Sequence, residues 1–394
     1  MAFTINIIAN AMTRSDSLSG GDRIFIECAR RWAERGNIVN IFTTEDGLKV
    51  CQRQNLVNAN YFLLPSVRFR GLGIFYLYIM RTIKACFKFS RISFEDSVVY
   101  SSSDFWPDSI PAFVLKRKSK NSEWVACFYL FAPSPFKSSS DIRYRGGCAP
   151  FSLRNLAYYF SQRIAYWLIR RYADRIVVTN QLDKDIFIKS GISPTVVIPV
   201  YGGADIKSIS QMASSQDFIY DGCFVGRLHP QKGPLELIRI WDLVCKVSPG
   251  VKLALIGNGP LENGVKNEIK TRGLEGNIDV LGYVDGDDKY KILKSSRVFL
   301  HTPILDTGGM AAAEGMACGL PAVGFDLPGY EFCYPRGMLK APIGDLEAFA
   351  GLVLNLLHDE DLYHQTRKDA LEFVQGWDWD KRAEQILEVL KSGS

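Results

Sequence analysis

At 394 residues the chain is longer than one hydrophobic core usually serves, so two domains are expected. It is 47% hydrophobic and 23% charged, which excludes a largely disordered protein, and no run of about 18 apolar residues is present that could span a bilayer. The formal charge of +5 is unevenly spread: residues 1–200 carry 27 Lys and Arg against 15 Asp and Glu (+12), and the rest carries 20 against 27 (−7). A basic half joined to an acidic half implies different partners; the basic half suits a phosphate-bearing substrate, an anionic membrane surface or nucleic acid. The opening MAFTINIIANAMTRSD puts no basic segment ahead of its apolar run, so a cleaved export signal is not expected. The nine cysteines are scattered, with no C-x-x-C pair, and the four histidines lack ligand spacing, so neither a disulfide framework nor a structural metal is expected.

In chain order, Ile5–Ala9 reads as a strand, Gly20-Gly21 as a turn, Arg23–Arg35 as a helix ending at Gly36, and Ile38–Thr43 as the next strand. Residues 68–91 read as a basic amphipathic helix. Ser97–Ser101, Trp124–Phe128 and Arg175–Thr179 read as strands, with a helix over Leu153–Ala173 and a Ser/Pro/Gly-rich surface loop over Phe131–Ser152. The second half repeats the alternation. Phe218–Gly226, Val251–Ile256, Ile278–Leu281, Val298–His301 and Ala322–Phe325 read as strands; Pro234–Lys246, Gly264–Arg272, Lys289–Lys294 and a segment closed by Gly319 read as helices. The tail Trp379–Leu390 is amphipathic through Ala383, Ile386, Leu387 and Leu390. The fold class expected is therefore α/β, with two Rossmann-like parallel-sheet domains facing a cleft at the carboxyl ends of their strands. The boundaries expected are 1–205, 206–375, and a terminal helix at 376–394 that packs back on the domains.

Two segments carry chemistry. In FVGRLHPQKG a strand ends at Gly226, and Arg227 and Lys232 follow before the next helix begins. A forked guanidinium and a point-charge ammonium together suit a diphosphate. In DTGGMAAAEGMACGLP glycines follow a strand and lead into a compact Ala/Met helix, a junction whose backbone amides can hold phosphate oxygens. Asp306 and Glu314 bracket it. Glu314 lies in an otherwise apolar helix and needs a partner there, such as sugar hydroxyls.

These two segments resemble the retaining glycosyltransferases of family 4, which have the GT-B fold and carry G-R-x(4)-K-G followed by E-x(7)-E. Arg227, Lys232, Asp306 and Glu314 stand at the matching spacing, and LIGNGP (255–260) and LGYVD (281–285) add to the likeness. The resemblance is dense from Cys223 to Gly329 and touches Gly20-Gly21, Ala173–Asn180 and Ile198–Asp205. It implies a nucleotide diphosphate sugar as donor, a glycan or lipid-linked acceptor and no cofactor. Arg227 and Lys232 would then neutralise the diphosphate, and Asp306 would touch donor-sugar hydroxyls. Backbone at Gly308, Gly309, Met310 and Ala311 would hold phosphate and sugar oxygens. Glu314 would take the ribose hydroxyls, Tyr283 and Val284 would meet the base, and Gly20 and Gly21 would let backbone approach the phosphates. Two departures stand out: Asp306 replaces the usual Glu, and Phe128-Tyr129-Leu130 stands where the family often has a histidine.

Within residues 68–91, Arg81, Lys84, Lys88 and Arg91 fall on one side of a helical wheel. Leu72, Phe75, Ile79, Ile83 and Cys86 fall opposite, with Tyr76 and Phe87 close by. Such a stripe can lie on an anionic membrane, which would place a cytoplasmic protein at the inner face of the cell membrane, or it can be an ordinary domain helix. The competing functions are a glycogen-phosphorylase-like or sucrose-type enzyme on the same architecture, of which a phosphorylase would need a lysine for pyridoxal phosphate and a much longer chain, and a non-catalytic nucleotide- or nucleic-acid-binding module. Nucleic acid is not expected, because aromatic side chains are not arrayed with the cations as a strand-binding groove requires.

Overall fold

The computed structural model describes residues 3–12, 18–65, 67, 73–92, 97–119, 121–132, 153–213 and 218–391. They fall into two compact units, the first holding residues up to 202 together with 379–391, the second 203–378. The expected surface loop lies, from residue 133 onward, outside the described residues, as do residues 68–72 of the basic segment.

The first unit runs β1 (Thr4–Ala9), α1 (Gly20–Glu34), β2 (Ile38–Thr43), α2 (Glu45–Arg53), β3 (Asn60–Leu63), α3 (Gly73–Phe89), β4 (Val98–Ser101) and α4 (Trp106–Lys118). It continues through β5 (Glu123–Phe128), α5 (Leu153–Tyr172), β6 (Arg175–Val178), α6 (Gln181–Lys189) and β7 (Val197–Pro199). Its seven strands lie in the order β3-β2-β1-β4-β5-β6-β7, every pair parallel. The second unit runs α7 (Ile206–Gln211), β8 (Tyr220–Val225), α8 (Pro234–Val247), β9 (Leu253–Ile256), α9 (Glu262–Arg272), β10 (Ile278–Gly282) and α10 (Gly286–Lys294). Then come β11 (Ser296–His301), α11 (Met310–Ala317), β12 (Ala322–Phe325), α12 (Tyr330–Cys333), β13 (Met338–Ala341), α13 (Leu346–His358) and α14 (Glu360–Val374). Its six strands are also all parallel, in the order β10-β9-β8-β11-β12-β13. In each sheet the order in which the chain adds strands reverses once, at β1/β4 and at β8/β11. Such a switch point splays the flanking loops apart and leaves a crevice beyond the strand ends.

Local chemistry explains where these elements begin. Ser19 caps α1: its hydroxyl accepts from Asp22 N at 3.1 Å, and the Asp22 carboxylate accepts from Ser19 N at 3.3 Å. Gly20 and Gly21 are therefore the first helical residues and not the expected turn. Gly21 is held to glycine by contact, since a Cβ there would sit 2.6 Å from the Tyr129 ring. Helix α4 tolerates Pro111 because the Pro107 carbonyl, left without its usual amide, accepts from Asn10 Nδ2 at 3.0 Å. Asp108 ties the same corner together. Its buried carboxylate accepts from the amides of Asn10 (2.6 Å) and Ala11 (3.1 Å) and from the hydroxyls of Ser102 (3.2 Å) and Ser103 (2.5 Å).

The last helix, α15 (Trp379–Lys391), belongs to the first unit and lies on α1. Trp32 Nε1 donates to Ala383 O at 2.8 Å, and Arg31 meets Asp380 at 2.6 Å while also holding Glu27. Trp379, Ala383, Ile386, Leu387 and Leu390 are buried.

Helix α3 corrects the helical-wheel reading. Its buried residues are Arg81, Thr82, Ala85 and Phe89, while Ile83 and Phe87 are 56% and 62% exposed and Phe75 and Tyr76 are exposed as well. The Arg81 guanidinium donates to Asn10 O (2.9 Å) and Met12 O and lies 3.5 Å from Asp46. Two carbonyls beyond the end of β1 need donors, and that need outranks the polarity of the wheel. Lys88 donates to Leu63 O at 2.6 Å, and Arg91 lies over the Phe87 ring.

Candidate active site

The second unit presents two loops from neighbouring strands at its switch point. The first leaves β8 at Gly226, passes Arg227 and closes a 3-10 turn at Pro230–Lys232. The second leaves β11 at His301 and runs through Asp306 to the start of α11. They are sewn together by Thr302, whose hydroxyl donates to Lys232 O and Gly233 O at 3.1 Å each, and by Ile304 N donating to Gln231 O at 3.1 Å.

Across this seam Lys232 Nζ reaches Asp306 Oδ2 at 2.5 Å. The other oxygen, Oδ1, accepts from three successive amides, those of Thr307 (2.8 Å), Gly308 (3.4 Å) and Gly309 (3.3 Å). Burial raises the carboxyl's pKa, but Lys232, then His301, and these bonds outweigh it and hold Asp306 well below the usual carboxylate range. A single anionic group thus gathers an ammonium and a fan of backbone amides just ahead of a helix N-terminus. Gly309 opens α11 at φ 60°, where a Cβ would meet the Tyr330 hydroxyl at 2.8 Å. Tyr334 Oη donates to the carbonyls of Gly308 (3.1 Å) and Gly309 (2.7 Å), which fixes the loop from below.

His301 is buried behind this loop, its Nε2 2.7 Å from Tyr330 Oη and 3.9 Å from Asp306. Burial lowers its pKa to about 4 despite the Asp306 charge, so it is neutral at pH 7. His301, Tyr330 and Tyr334 carry no motif signal, and only the fold brings them to the glycine loop.

Glu314 is buried, as its apolar helix requires, and its partner is a residue that sequence reasoning passed over. Lys289 Nζ, 3% exposed, donates to Glu314 Oε2 at 2.9 Å and to Asp285 Oδ1 at 3.2 Å. Asp285 in turn accepts from Tyr283 Oη at 3.2 Å. A polar chain therefore joins Tyr283, at the end of β10, to Glu314 on α11. Val284 lies between Tyr283 and Asp285, half-buried, and Arg227 is exposed at the end of β8. Met310 and Ala311 form the first turn of α11. Arg227, Lys232, Tyr283, Val284, Asp306, Gly308, Gly309, Met310, Ala311 and Glu314 all belong to the second unit. Gly20 and Gly21 belong to the first.

In the first unit, Tyr129 lies in Phe128-Tyr129-Leu130, the stretch where the resemblance leads one to look for histidine. Its Oη lies 3.5 Å from Tyr100 Oη, and burial pushes the phenol well above its ordinary range. Among the described residues, no helix is long and apolar enough to cross a membrane, and no group of three His, Cys, Asp or Glu could hold a metal ion.

Residues 219–373 match the family described as glycosyl transferases group 1. An uncharacterized glycosyltransferase of Methanocaldococcus jannaschii is 30% identical over 260 residues, 55% of this chain and 63% of that protein. A phosphatidyl-myo-inositol mannosyltransferase of Mycobacterium leprae is 28% identical over 207 residues, 51% of this chain and 54% of its own length. The chain thus spans less than two thirds of either relative. Over its whole length it is similar to the crystal structure of HepE from Anabaena in complex with UDP and glucose, with 19% identity, 100% of both chains covered and a TM-score of 0.70. That likeness shows the fold, GT-B. The residues that match the glycosyl transferases group 1 family contain both switch-point loops, α10 and α11.

Proposed function

We propose that this protein is a retaining hexosyltransferase of family 4 that moves a sugar from a nucleoside diphosphate sugar to a glycan or lipid-linked acceptor. The observation that carries this reading is the convergence of Lys232 and three loop amides on one carboxylate oxygen pair at the β8/β11 switch point. Asp306 is the anion that these donors hold within the fold, and it gathers them beside Arg227 and the start of α11, where a diphosphate would lie. Arg227 and Lys232 neutralise the charge that develops on the leaving diphosphate, and the amides of Met310 and Ala311 at the start of α11, beyond those that Asp306 Oδ1 engages, hold its oxygens. Asp306, one methylene shorter than the glutamate it replaces, accepts a hydroxyl of the donor sugar.

No enzymic nucleophile is needed. The acceptor hydroxyl attacks the anomeric carbon on the face from which the diphosphate leaves. The bond from that carbon to the phosphate oxygen breaks, and the hydroxyl proton passes to the departing phosphate. Tyr129 takes no part as a base, since its phenol holds its proton at neutral pH.

The test follows donor consumption by NMR with UDP-glucose, UDP-galactose, UDP-N-acetylglucosamine and GDP-mannose. One donor should be cleaved, in transfer or slow hydrolysis, and the first-formed product should keep the donor's anomeric configuration. An inverted first product overturns retention; no cleavage of any donor, with or without lipid-linked and glycan acceptors, overturns the enzyme reading.

The same reading extends to an anionic membrane as the place of a lipid-linked acceptor. Helices α3 and α5 contain no acidic residue. They expose Ile83 and Phe87, and Phe160, Ile164 and Trp167, beside Lys84, Lys88, Arg163 and Arg171. Apolar side chains that can enter the interface, flanked by cations alone, match an anionic lipid surface. Arg81 takes no part in it.

A further inference from the structure

Burying an ammonium beside a carboxylate contributes little to stability, because the charges lose more in leaving water than a well-packed apolar pair would. Lys289 is nevertheless 3% exposed and sits between two carboxylates, Asp285 and Glu314. It lies on α10, four residues after Asp285, and reaches across to α11. The two helices follow different strands of the sheet, so the contact fixes a side chain on one element against a side chain on another. Such an arrangement is costly as a fastener and effective as an aiming device.

We propose that Lys289 is the positioning residue for Glu314: by holding Oε2 at 2.9 Å it sets the plane in which the carboxylate accepts the two ribose hydroxyls of the donor nucleotide. This rests on the donor reading above. Asp285 completes the device. It shares the Lys289 ammonium at 3.2 Å and accepts from Tyr283, so the loop that would meet the base is tied to the group that reads the ribose. Without Lys289 the Glu314 carboxylate loses the bond at Oε2 and its plane is less closely set, and the selectivity that depends on its orientation falls more than binding as a whole.

The experiment measures binding of UDP and GDP, each with its 2′-deoxy form, by calorimetry. Whichever nucleotide wild type binds more tightly is carried through Lys289→Met, Lys289→Arg, Glu314→Gln and the Lys289→Met/Glu314→Gln pair. Wild type should prefer the ribose form by roughly tenfold or more, the worth of a charge-assisted hydrogen bond. Glu314→Gln and Lys289→Met should each bring that ratio close to one, Lys289→Arg should lie between, and the double variant should show no further loss. A purely structural lysine would weaken both forms equally and leave the ratio intact; that result overturns the proposal. If Lys289→Met does not fold, an unchanged ratio in Lys289→Arg overturns it equally. Failure of the donor reading looks different: neither nucleotide binds wild type, or Glu314→Gln leaves the ribose preference untouched.

Discussion

Lys232 Nζ and Asp306 Oδ2 lie 2.5 Å apart, although 74 residues separate them in the chain. They meet because β8 and β11 are parallel neighbours at the place where the strand order of the second sheet reverses. The contact joins the ammonium of the first loop to a carboxylate that also gathers three amides of the second. Lys232→Ala should therefore weaken nucleoside diphosphate binding by roughly tenfold or more, the worth of a charge-assisted contact. Asp306→Glu restores the longer arm of the family and should keep the pair and the transfer activity, whereas Asp306→Ala should lose transfer. Equal activity in Asp306→Ala and wild type, measured by donor consumption, removes Asp306 from the site.

His301 gives the second unit a pH-dependent stability whose sign is fixed. Its pKa is about 4 in the fold against about 6.5 unfolded, so the unfolded chain binds the proton more readily. Its contribution is complete above pH 6.5 and is lost as the pH falls towards 4, a cost of about 3 kcal/mol at most. Asp306, whose pKa is depressed, acts only below the ordinary carboxylate range, so the two windows separate. Asp104 and Asp108 of the first unit, pushed up to about 6 and about 7 by burial, act in the opposite sense, so the readout is the difference between wild type and His301→Gln. Urea unfolding at half-unit steps from pH 7 to pH 4 should show that difference shift in favour of the variant as the pH falls. A difference that does not change with pH assigns the effect elsewhere.

The terminal helix α15 should be integral to the first unit. Leu387 is buried on α15, which packs on α1, and Leu387→Ala should cost about 2–5 kcal/mol in chemical denaturation. Arg35, partly exposed, pairs with Glu384, and Arg35→Ala should cost less than 1 kcal/mol, roughly the value of a surface ion pair. Similar losses for the two would mean that the helix is held by its rim and not by its apolar face.

On membranes the exposed residues of α3 and α5 should decide the outcome. The protein should sediment with vesicles containing phosphatidylglycerol and not with pure phosphatidylcholine vesicles, and the effect should fade with salt. Phe87→Ser with Trp167→Ser should reduce sedimentation several-fold without changing the melting temperature. Arg81→Glu should instead destabilise the fold, since it strips donors from Asn10 O and Met12 O. Equal sedimentation with both vesicle types, or none, contradicts the membrane reading.

The sequence showed the alternation of strands and helices because the second half is punctuated by glycines at helix ends, as at Gly273 and Gly319, and because its strands are unbroken apolar runs. Helix α4 stayed hidden because Pro107 and Pro111 break the helical signal, and only Asn10, 97 residues from Pro107, repairs it. The cations and carboxylates of the two motifs were legible by spacing. Lys289 was not, since a lysine in the run Gly286–Lys294 looks like any solvated charge, and its burial depends on how α10 meets α11. Arg81 misled for the same reason in reverse. A helical wheel divides residues by polarity, whereas the fold divided them by which carbonyls lacked donors.

The central claim is that the second unit binds a nucleoside diphosphate through the Lys232–Asp306 seam, and calorimetric titration of the intact chain with UDP, GDP, ADP and CMP tests it most directly. One of the three diphosphates should bind wild type, while CMP, with a single phosphate, should bind far more weakly, and Lys232→Ala should lose most of the affinity for the preferred diphosphate. Equal binding of that diphosphate to wild type and Lys232→Ala, or binding of none of the four, would contradict the account.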